Sequence, residues 1–230
     1  MREKKQKLNF YGRRKGRKLL QGRQAQIQEK LPRVLIPICP GEEQLDPMSL
    51  FYPPVKDVWM EIGFGAGEHL AYHASTNPDI GFLGIEPFIN GVASLLSKME
   101  RQDLNNVRLL NDDVRLLLCN LASNSLGRVF ILFPDPWPKK KHRRRRLFSN
   151  ALLDKLSQQM RPHAELRFAS DNMCYIREVL EVVSNRNDFN WEPRRSKDWK
   201  KPPSDAIETR YESKARKVGQ PCVYLSFRKV

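Results

Sequence analysis

Val129-Phe130-Ile131-Leu132-Phe133 is the stretch that most restricts the fold. Five consecutive apolar β-formers leave no polar side for solvent, so the strand they predict is covered on both faces, as in a parallel sheet flanked by helices. Three X-Pro pairs follow: Phe133-Pro134, Asp135-Pro136 and Trp137-Pro138. Each proline removes an N–H donor and turns the residue before it away from helix, so a stiff, extended loop must end the strand. Beyond it lies Lys139–Arg146 (KKKHRRRR), a cationic block without an acid. A buried strand that delivers a carboxylate and an indole into positive charge points to a flat polar group on a polyanion, that is, a nucleobase.

The rest of the chain is consistent with that strand. Asp57–Ile62 (DVWMEI) predicts a first strand, and the following GFGAGEH turns into a helix running to about Ser75. Gly81–Ile85, Val107–Leu110, Val129–Phe133 and Glu165–Ala169 predict further strands, and Ile89–Arg101 and Met173–Ser184 predict helices. Leu147, Phe148, Leu152, Leu156 and Met160 fall at helical spacing. Phe189–Trp191 reads as a short strand, and Cys222–Arg228 alternates like a final one. Repeated strand–helix units imply an α/β fold, a mostly parallel sheet with helices on both faces, in one domain over residues 25–230. Residues 1–24 carry ten Lys/Arg and one acid, Glu3, so they predict a basic, disordered arm. Six prolines between Leu31 and Pro54 predict an irregular lead-in, and the Lys- and Pro-rich stretch Lys197–Pro203 a mobile loop.

Charge narrows the partners. The 230 residues hold 41 Lys+Arg against 26 Asp+Glu, a net charge of +15, and a clustered excess of that size fits nucleic acid. No apolar run approaches the length of a membrane span and no signal-peptide core opens the chain, so a cytoplasmic location is expected. Cys39, Cys119, Cys174 and Cys222 form no C-x-x-C pair, and His69 and His73 lack a third ligand. No metal site is therefore expected, and the two histidines read as surface or packing residues.

Glu61-Ile62-Gly63-Phe64-Gly65-Ala66-Gly67 closes the first strand and opens its helix. Glycines there let a ligand approach the backbone, but the spacing matches neither a dinucleotide fingerprint nor a phosphate loop. An acid just ahead of the glycines repels pyrophosphate and suits the ammonium of S-adenosylmethionine. Glu86 ends the second strand, where carboxylates take ribose hydroxyls, and Asp113 follows the third, in reach of an adenine amino group. With Asp135, four acids stand in succession at the carboxyl ends of strands, where ligands of open α/β sheets bind.

These residues resemble a family. EIGFGAGEHL (61–70), GIEPF (84–88), FPDPWPKKKHRRRR (133–146), SDNMCYIREV (170–179) and TRYESKARKVGQPCVYLSF (209–227) are together similar to the TrmB-type tRNA (guanine-N7-)-methyltransferases. The resemblance runs from about Asp57 to the C-terminus, and its FPDPWPKK stretch is highly specific. It implies a Rossmann-like S-adenosylmethionine-dependent sheet of seven strands. The implied reaction is methyl transfer to N7 of a tRNA guanosine, position 46 of the variable loop, giving 7-methylguanosine. Glu61, Gly63, Gly65, Gly67, Glu86, Asp113 and Asp135 would hold S-adenosylmethionine, Asp135 being also catalytic. Lys139, Asp171 and Thr209, Arg210, Tyr211 and Glu212 would contact the tRNA. The compact length favours an enzyme that needs no second protein. Two positions depart from the family pattern. Val114 stands where a smaller residue is usual, which leaves Asp112 as a substitute for Asp113, and Ser170 replaces a common Thr before Asp171.

The chemistry is compatible with this assignment on its own terms. Guanine N7 carries an sp² lone pair and needs no deprotonation, so the task is positioning. Asp135 or Asp171 accepts from guanine N1–H and N2–H₂; Trp137 stacks on the base or caps the core; Tyr211 stacks or packs; Asp171 alternatively caps the next helix. Two other readings stay open: a methyltransferase acting on a different base, although D-P-W-P is not the N-P-P-Y or D-P-P-Y of adenine-N6 and glutamine enzymes, and a binding protein that has lost the chemistry.

Overall fold

The first strand shows how alternation builds the layers. In β1 (Asp57–Ile62) Val58, Met60 and Ile62 turn into one apolar core, whereas Trp59 packs against the other. The computed structural model describes residues 11–38 and 44–230; Cys39 and the first ten residues of the expected arm lie outside them.

The elements in order are α1 (Gln21–Val34), β1, α2 (Glu68–Thr76), β2 (Ile80–Ile85), α3 (Ile89–Arg101), β3 (Val107–Leu110) and α4 (Val114–Leu118). Then come β4 (Leu126–Leu132), α5 (Asn150–Gln159), β5 (Met160–Ser170), α6 (Met173–Ser184), β6 (Phe189–Asn190), α7 (Lys197–Lys200), α8 (Arg210–Lys217) and β7 (Val223–Lys229). The seven strands lie in the order β3-β2-β1-β4-β5-β7-β6. Pairs from β3 to β5 are parallel, and β7 runs antiparallel to both of its neighbours. The strand order reverses between β1 and β4, which is where such a sheet opens a crevice for ligand.

One face is covered by α4, α5 and α6, whose Leu117, Leu152, Leu153, Leu156, Tyr175 and Val179 join the core over Val58, Met60, Val129 and Ile131. The other is covered by α1, α2 and α3 over β1 to β3, through Leu31, Leu70, Val92, Leu95 and Leu96. Over β4, β5 and β7 that second face carries no long helix among the described residues. The segment 197–209, a strap that begins with α7, lies there instead and leads into α8.

Four expectations are corrected. The arm does not extend to residue 24, because α1 begins at Gln21 and the residues before it are tied to α3: Ile89 N–H donates to Arg14 O (3.1 Å), Gly16 N–H to Asn90 Oδ1 (3.0 Å) and Asn90 Nδ2 to Arg17 O (2.8 Å). The lead-in from Leu31 is helical as far as Val34, with Pro32 inside the helix, and Leu35 then bridges Leu109. Residues 197–203 form no plain loop, since α7 occupies four of them. Helix α5 also starts later than its apolar spacing implied, at Asn150, because the Ser149 hydroxyl accepts from Leu152 N–H and caps it.

Candidate active site

The turn from β1 to α2 holds Gly63, Gly65 and Gly67 at φ of 78°, 57° and 76°. These are left-handed angles that a side chain would strain. At Gly67, which caps α2, a Cβ would also strike Leu95 at 2.8 Å. Above Gly63 lies open space, and above Gly65 only the edge of the Tyr211 ring, at 3.5 Å from a notional Cβ. The loop thus presents bare backbone to the crevice.

The expected acids are disposed around it, with different partners. Glu61 is buried at the end of β1, and its Oε2 lies 2.8 Å from His69 Nδ1. Glu86 accepts from Gly65 N–H (2.8 Å) and Phe88 N–H (2.9 Å), so it holds the glycine turn in shape. Burial pushes its carboxyl pKa up, and those two N–H groups only partly oppose it. Asp113 is otherwise engaged. It caps α4 by accepting from Arg115 N–H (2.9 Å) and takes the Arg115 guanidinium at Nε (2.9 Å) and Nη2 (2.5 Å). Burial alone would raise the Asp113 carboxyl, but these Arg115 contacts outweigh it and hold it below the usual range. Asp112 is 38% exposed and pairs with Arg14 at 2.8 Å. Of the two, Asp112 is the one that faces outward at the strand end.

Asp135 is exposed, on a loop whose backbone is left-handed two residues to either side: Phe133 at φ 49° and Trp137 at φ 41°. Neither is glycine, so both cost strain. The loop is tied down by Phe133 N–H to Ala169 O (2.8 Å) and by Arg146 Nε to Pro136 O (2.8 Å). Arg146 is therefore not part of a solvated cationic block. It is 6% exposed, ion-paired with Glu178 and stacked 4.6 Å from the Tyr175 ring. The rest of the block, Lys140–Arg145, makes a 3-10 turn with no buried residue, preceded by the exposed Lys139. Trp137 does not cap the core. It is half-buried between the His142 ring (5.9 Å) and the Arg145 guanidinium (5.0 Å), and Arg145 also lies 5.2 Å from the Tyr11 ring.

Asp171 is not a helix cap. Asn172 caps α6 through Tyr175 N–H (2.9 Å), and no hydrogen bond engages the Asp171 carboxylate among the described residues. The four residues Thr209–Glu212 divide into two roles. Thr209 caps α8, accepting from Glu212 N–H at 3.2 Å. Glu212 is 2% exposed and held by the Tyr224 hydroxyl and Arg216 Nη2 (2.6 Å). Arg210 reaches Glu68 at 3.4 Å, and Tyr211, 61% exposed, overhangs the glycine turn. Burial raises the Tyr211 hydroxyl pKa, and the negative charges of Glu86, Asp135 and Glu68 raise it further. Tyr211 thus sits among the acids that end the second and fourth strands and the acid that opens α2.

Sequence reasoning missed the buried layer beneath this site. His69 and His73 are 4% and 2% exposed, so neither is a surface residue. Their rings lie 4.3 Å apart, with Phe130 4.8 Å from His69 and stacked on His73 at 5.5 Å. Burial, aided by His69, pushes His73 down to about 3, so it is neutral at physiological pH. Next to it, Asp205 of the strap accepts from Arg167 Nη1 (2.7 Å) and Arg128 Nη1 (3.1 Å), and Glu165 pairs with both arginines at 3.0 Å. The available signal was the alternation of β5, which leaves Glu165 and Arg167 on the face opposite Leu166 and Phe168 and in need of polar partners.

A reversing sheet with acids at successive strand ends around a bare glycine turn defines the class as a Rossmann-like methyltransferase. Solved structures share the fold, among them the 16S rRNA methyltransferase KamB (TM-score 0.54, 17% identity, 76% of this chain and 88% of that one). Another is an rRNA methylase from Streptococcus thermophilus (TM-score 0.51, 13% identity, 76% and 87%). Residues 56–225 match the family model Methyltransf_4 ("Putative methyltransferase"). The tRNA (guanine-N(7)-)-methyltransferase of Rhodospirillum rubrum is 44% identical over 222 residues, 96% of this chain and 87% of the relative. That of Ruegeria pomeroyi is 42% identical over 231 residues, 96% and 94%. The chain belongs to the TrmB-type tRNA (guanine-N(7)-)-methyltransferase family.

Proposed function

We propose that the chain methylates N7 of a guanosine in tRNA, the variable-loop guanosine at position 46, using S-adenosylmethionine. The observation that carries this reading is the exposed Asp135, held in a strained loop beside Lys139 and facing the same crevice as Glu61, Glu86 and Tyr211. The crevice fits the methyl donor: the turn over Gly63 and Gly65 is bare, and the surrounding acids suit a ligand with an ammonium and a sulfonium. When bound, S-adenosylmethionine supplies an electrophilic methyl group.

Glu61 accepts from the donor's ammonium, Glu86 from its ribose hydroxyls and Asp112 from its adenine amino group. Asp113, committed to Arg115 and α4, supports that strand end from behind. Asp135 and the unengaged Asp171 accept from guanine N1–H and N2–H₂, which turns N7 toward the donor. Methylation leaves a positive charge on the guanine, and the same carboxylates stabilise it as it develops. Tyr211 and Trp137 offer ring faces to a base drawn out of its stack. Lys139, Arg210 and the outward side chains of Lys140–Arg145 meet phosphates, while Thr209 and Glu212 place Tyr211. No helix among the described residues is long and apolar enough to cross a membrane. A cytoplasmic location and action without a second protein are part of the same reading.

The test is methyl transfer from labelled S-adenosylmethionine to unfractionated tRNA, followed by nucleoside analysis. Label in 7-methylguanosine that disappears when guanosine 46 is replaced supports the reading; label in another nucleoside refutes it.

A further inference from the structure

Glu61 is a carboxylate with almost no access to solvent, and burial of an unpartnered charge is costly. What it meets is His69, with both side chains 5% exposed or less. His69 is the second residue of α2, whose N-terminal turn also brings the positive end of the helix dipole close. The ring cannot swing away, because His73 and Phe130 close on it at 4.3 and 4.8 Å. A packed imidazole 2.8 Å from a carboxylate is a donor at Nδ1, since a carboxylate only accepts.

We propose that His69 is a positioning residue for Glu61. By donating from Nδ1 to Oε2 it fixes the rotamer of the buried carboxylate and turns its other oxygen toward the crevice, where it accepts from the ammonium of the methyl donor. The inference rests on the reading of Glu61 as the ammonium's acceptor. The choice of imidazole has a physical reason. Lysine or arginine carries several N–H donors and would engage both carboxylate oxygens, leaving none for a ligand. An imidazole offers a single N–H at Nδ1 to Oε2, so it orients the carboxylate through one hydrogen bond and leaves the other oxygen unoccupied. The stacked His73, itself neutral, adds no positive charge beneath the pair.

The experiment compares two ligands on the full chain by titration calorimetry: S-adenosylhomocysteine, which carries the ammonium, and 5′-methylthioadenosine, which lacks it. His69→Leu is expected to weaken S-adenosylhomocysteine by roughly tenfold or more, the scale of a hydrogen bond to a charged group, and to change 5′-methylthioadenosine less than about twofold. His69→Asn, whose amide reaches the Nδ1 position, restores binding to within about threefold. His69→Gln, whose amide reaches the Nε2 position instead, does not, and it replaces the leucine variant if that one fails to fold. Equal losses for Asn and Gln, or equal losses for the two ligands, overturn the proposal in favour of a merely structural histidine. Glu61→Gln separates the two levels. If it leaves S-adenosylhomocysteine binding unchanged, the reading of Glu61 itself fails; if it weakens binding while His69→Leu does not, only the role of His69 fails.

Discussion

Removing the Asp205 carboxylate tests what holds the strap, and hence α8 and Tyr211, across the sheet. Asp205 accepts one charge-assisted hydrogen bond from each of two arginines on adjacent strands, Arg167 at 2.7 Å and Arg128 at 3.1 Å. Burial opposes its ionisation, but the two guanidinium groups outweigh that and keep its carboxyl below the usual range. Hydrogen bonds to charged groups contribute about 1.5–3 kcal/mol each when buried. The Asp205 side chain is 40% exposed, so solvent screening leaves about 1 kcal/mol each, or about 2 kcal/mol in all. Glu165 remains as a partner for both arginines, so the sheet itself should stay folded in Asp205→Ala. The loss then falls on the strap, and about 2 kcal/mol raises its undocked population roughly 30-fold. Limited trypsin digestion reads this directly, because the bonds after Lys197 and Lys200 lie in α7 at the start of the strap, and cleavage there requires that turn of helix to come away and unwind. Cleavage there is expected to speed up by a similar factor, with methyl transfer to tRNA falling as Tyr211 loses its seat. Cleavage within twofold of the unmodified chain would refute the clamp.

His73, neutral in the fold because its pKa is near 3, must take up a proton on unfolding below pH 6.5. Its folded pKa is depressed, so the stability is present above pH 6.5 and lost as pH falls toward 3. At pH 5 the loss is about 2 kcal/mol relative to neutral pH, and urea unfolding at the two pH values should show it in the native chain and not in His73→Leu. Arg146→Gln removes the buried partner of Glu178 and Pro136 and should cost about 3 kcal/mol in the same unfolding assay. Joint replacement of Arg143 and Arg144 should leave stability unchanged and reduce the salt slope of tRNA binding by about 1 for each phosphate those two side chains neutralise. Asp135→Ala is expected to cut turnover at least about a hundredfold, with tRNA affinity within a few-fold; near-normal turnover counts against its role.

The parts of the fold legible in the sequence were those with a period. β1, α3, β3 and α6 have the expected bounds because apolar alternation or helical spacing marks them residue by residue. The acids were legible because each stands at or within three residues of the end of an apolar run. What stayed hidden depends on long-range pairing. Nothing local distinguishes Arg146 from Arg143–Arg145; its burial comes from Glu178 and Tyr175, 32 and 29 positions away in the chain. Asp113 and Asp112 are adjacent, and only the start of α4 decides which is taken as a cap. The sharing of Asp205 between Arg128 and Arg167 likewise needs β4 and β5 side by side, a fact of topology that no spacing records.

The Asp135 loop shows how such hidden contacts reach the chemistry. Two non-glycine residues in left-handed geometry cost of order 1–3 kcal/mol each, so the loop alone would relax. Phe133 is held by its N–H to Ala169 at the end of β5, and Pro136 by the guanidinium of Arg146. Arg146 is immobilised in turn by Glu178 on α6 and by the Tyr175 ring, whose hydroxyl accepts from Phe148 N–H at 2.9 Å. The exposed carboxylate at the centre is therefore positioned by groups that never touch a substrate. An aspartate with no packing of its own can act with a defined orientation because Ala169 and the buried Arg146 hold the strained backbone around it.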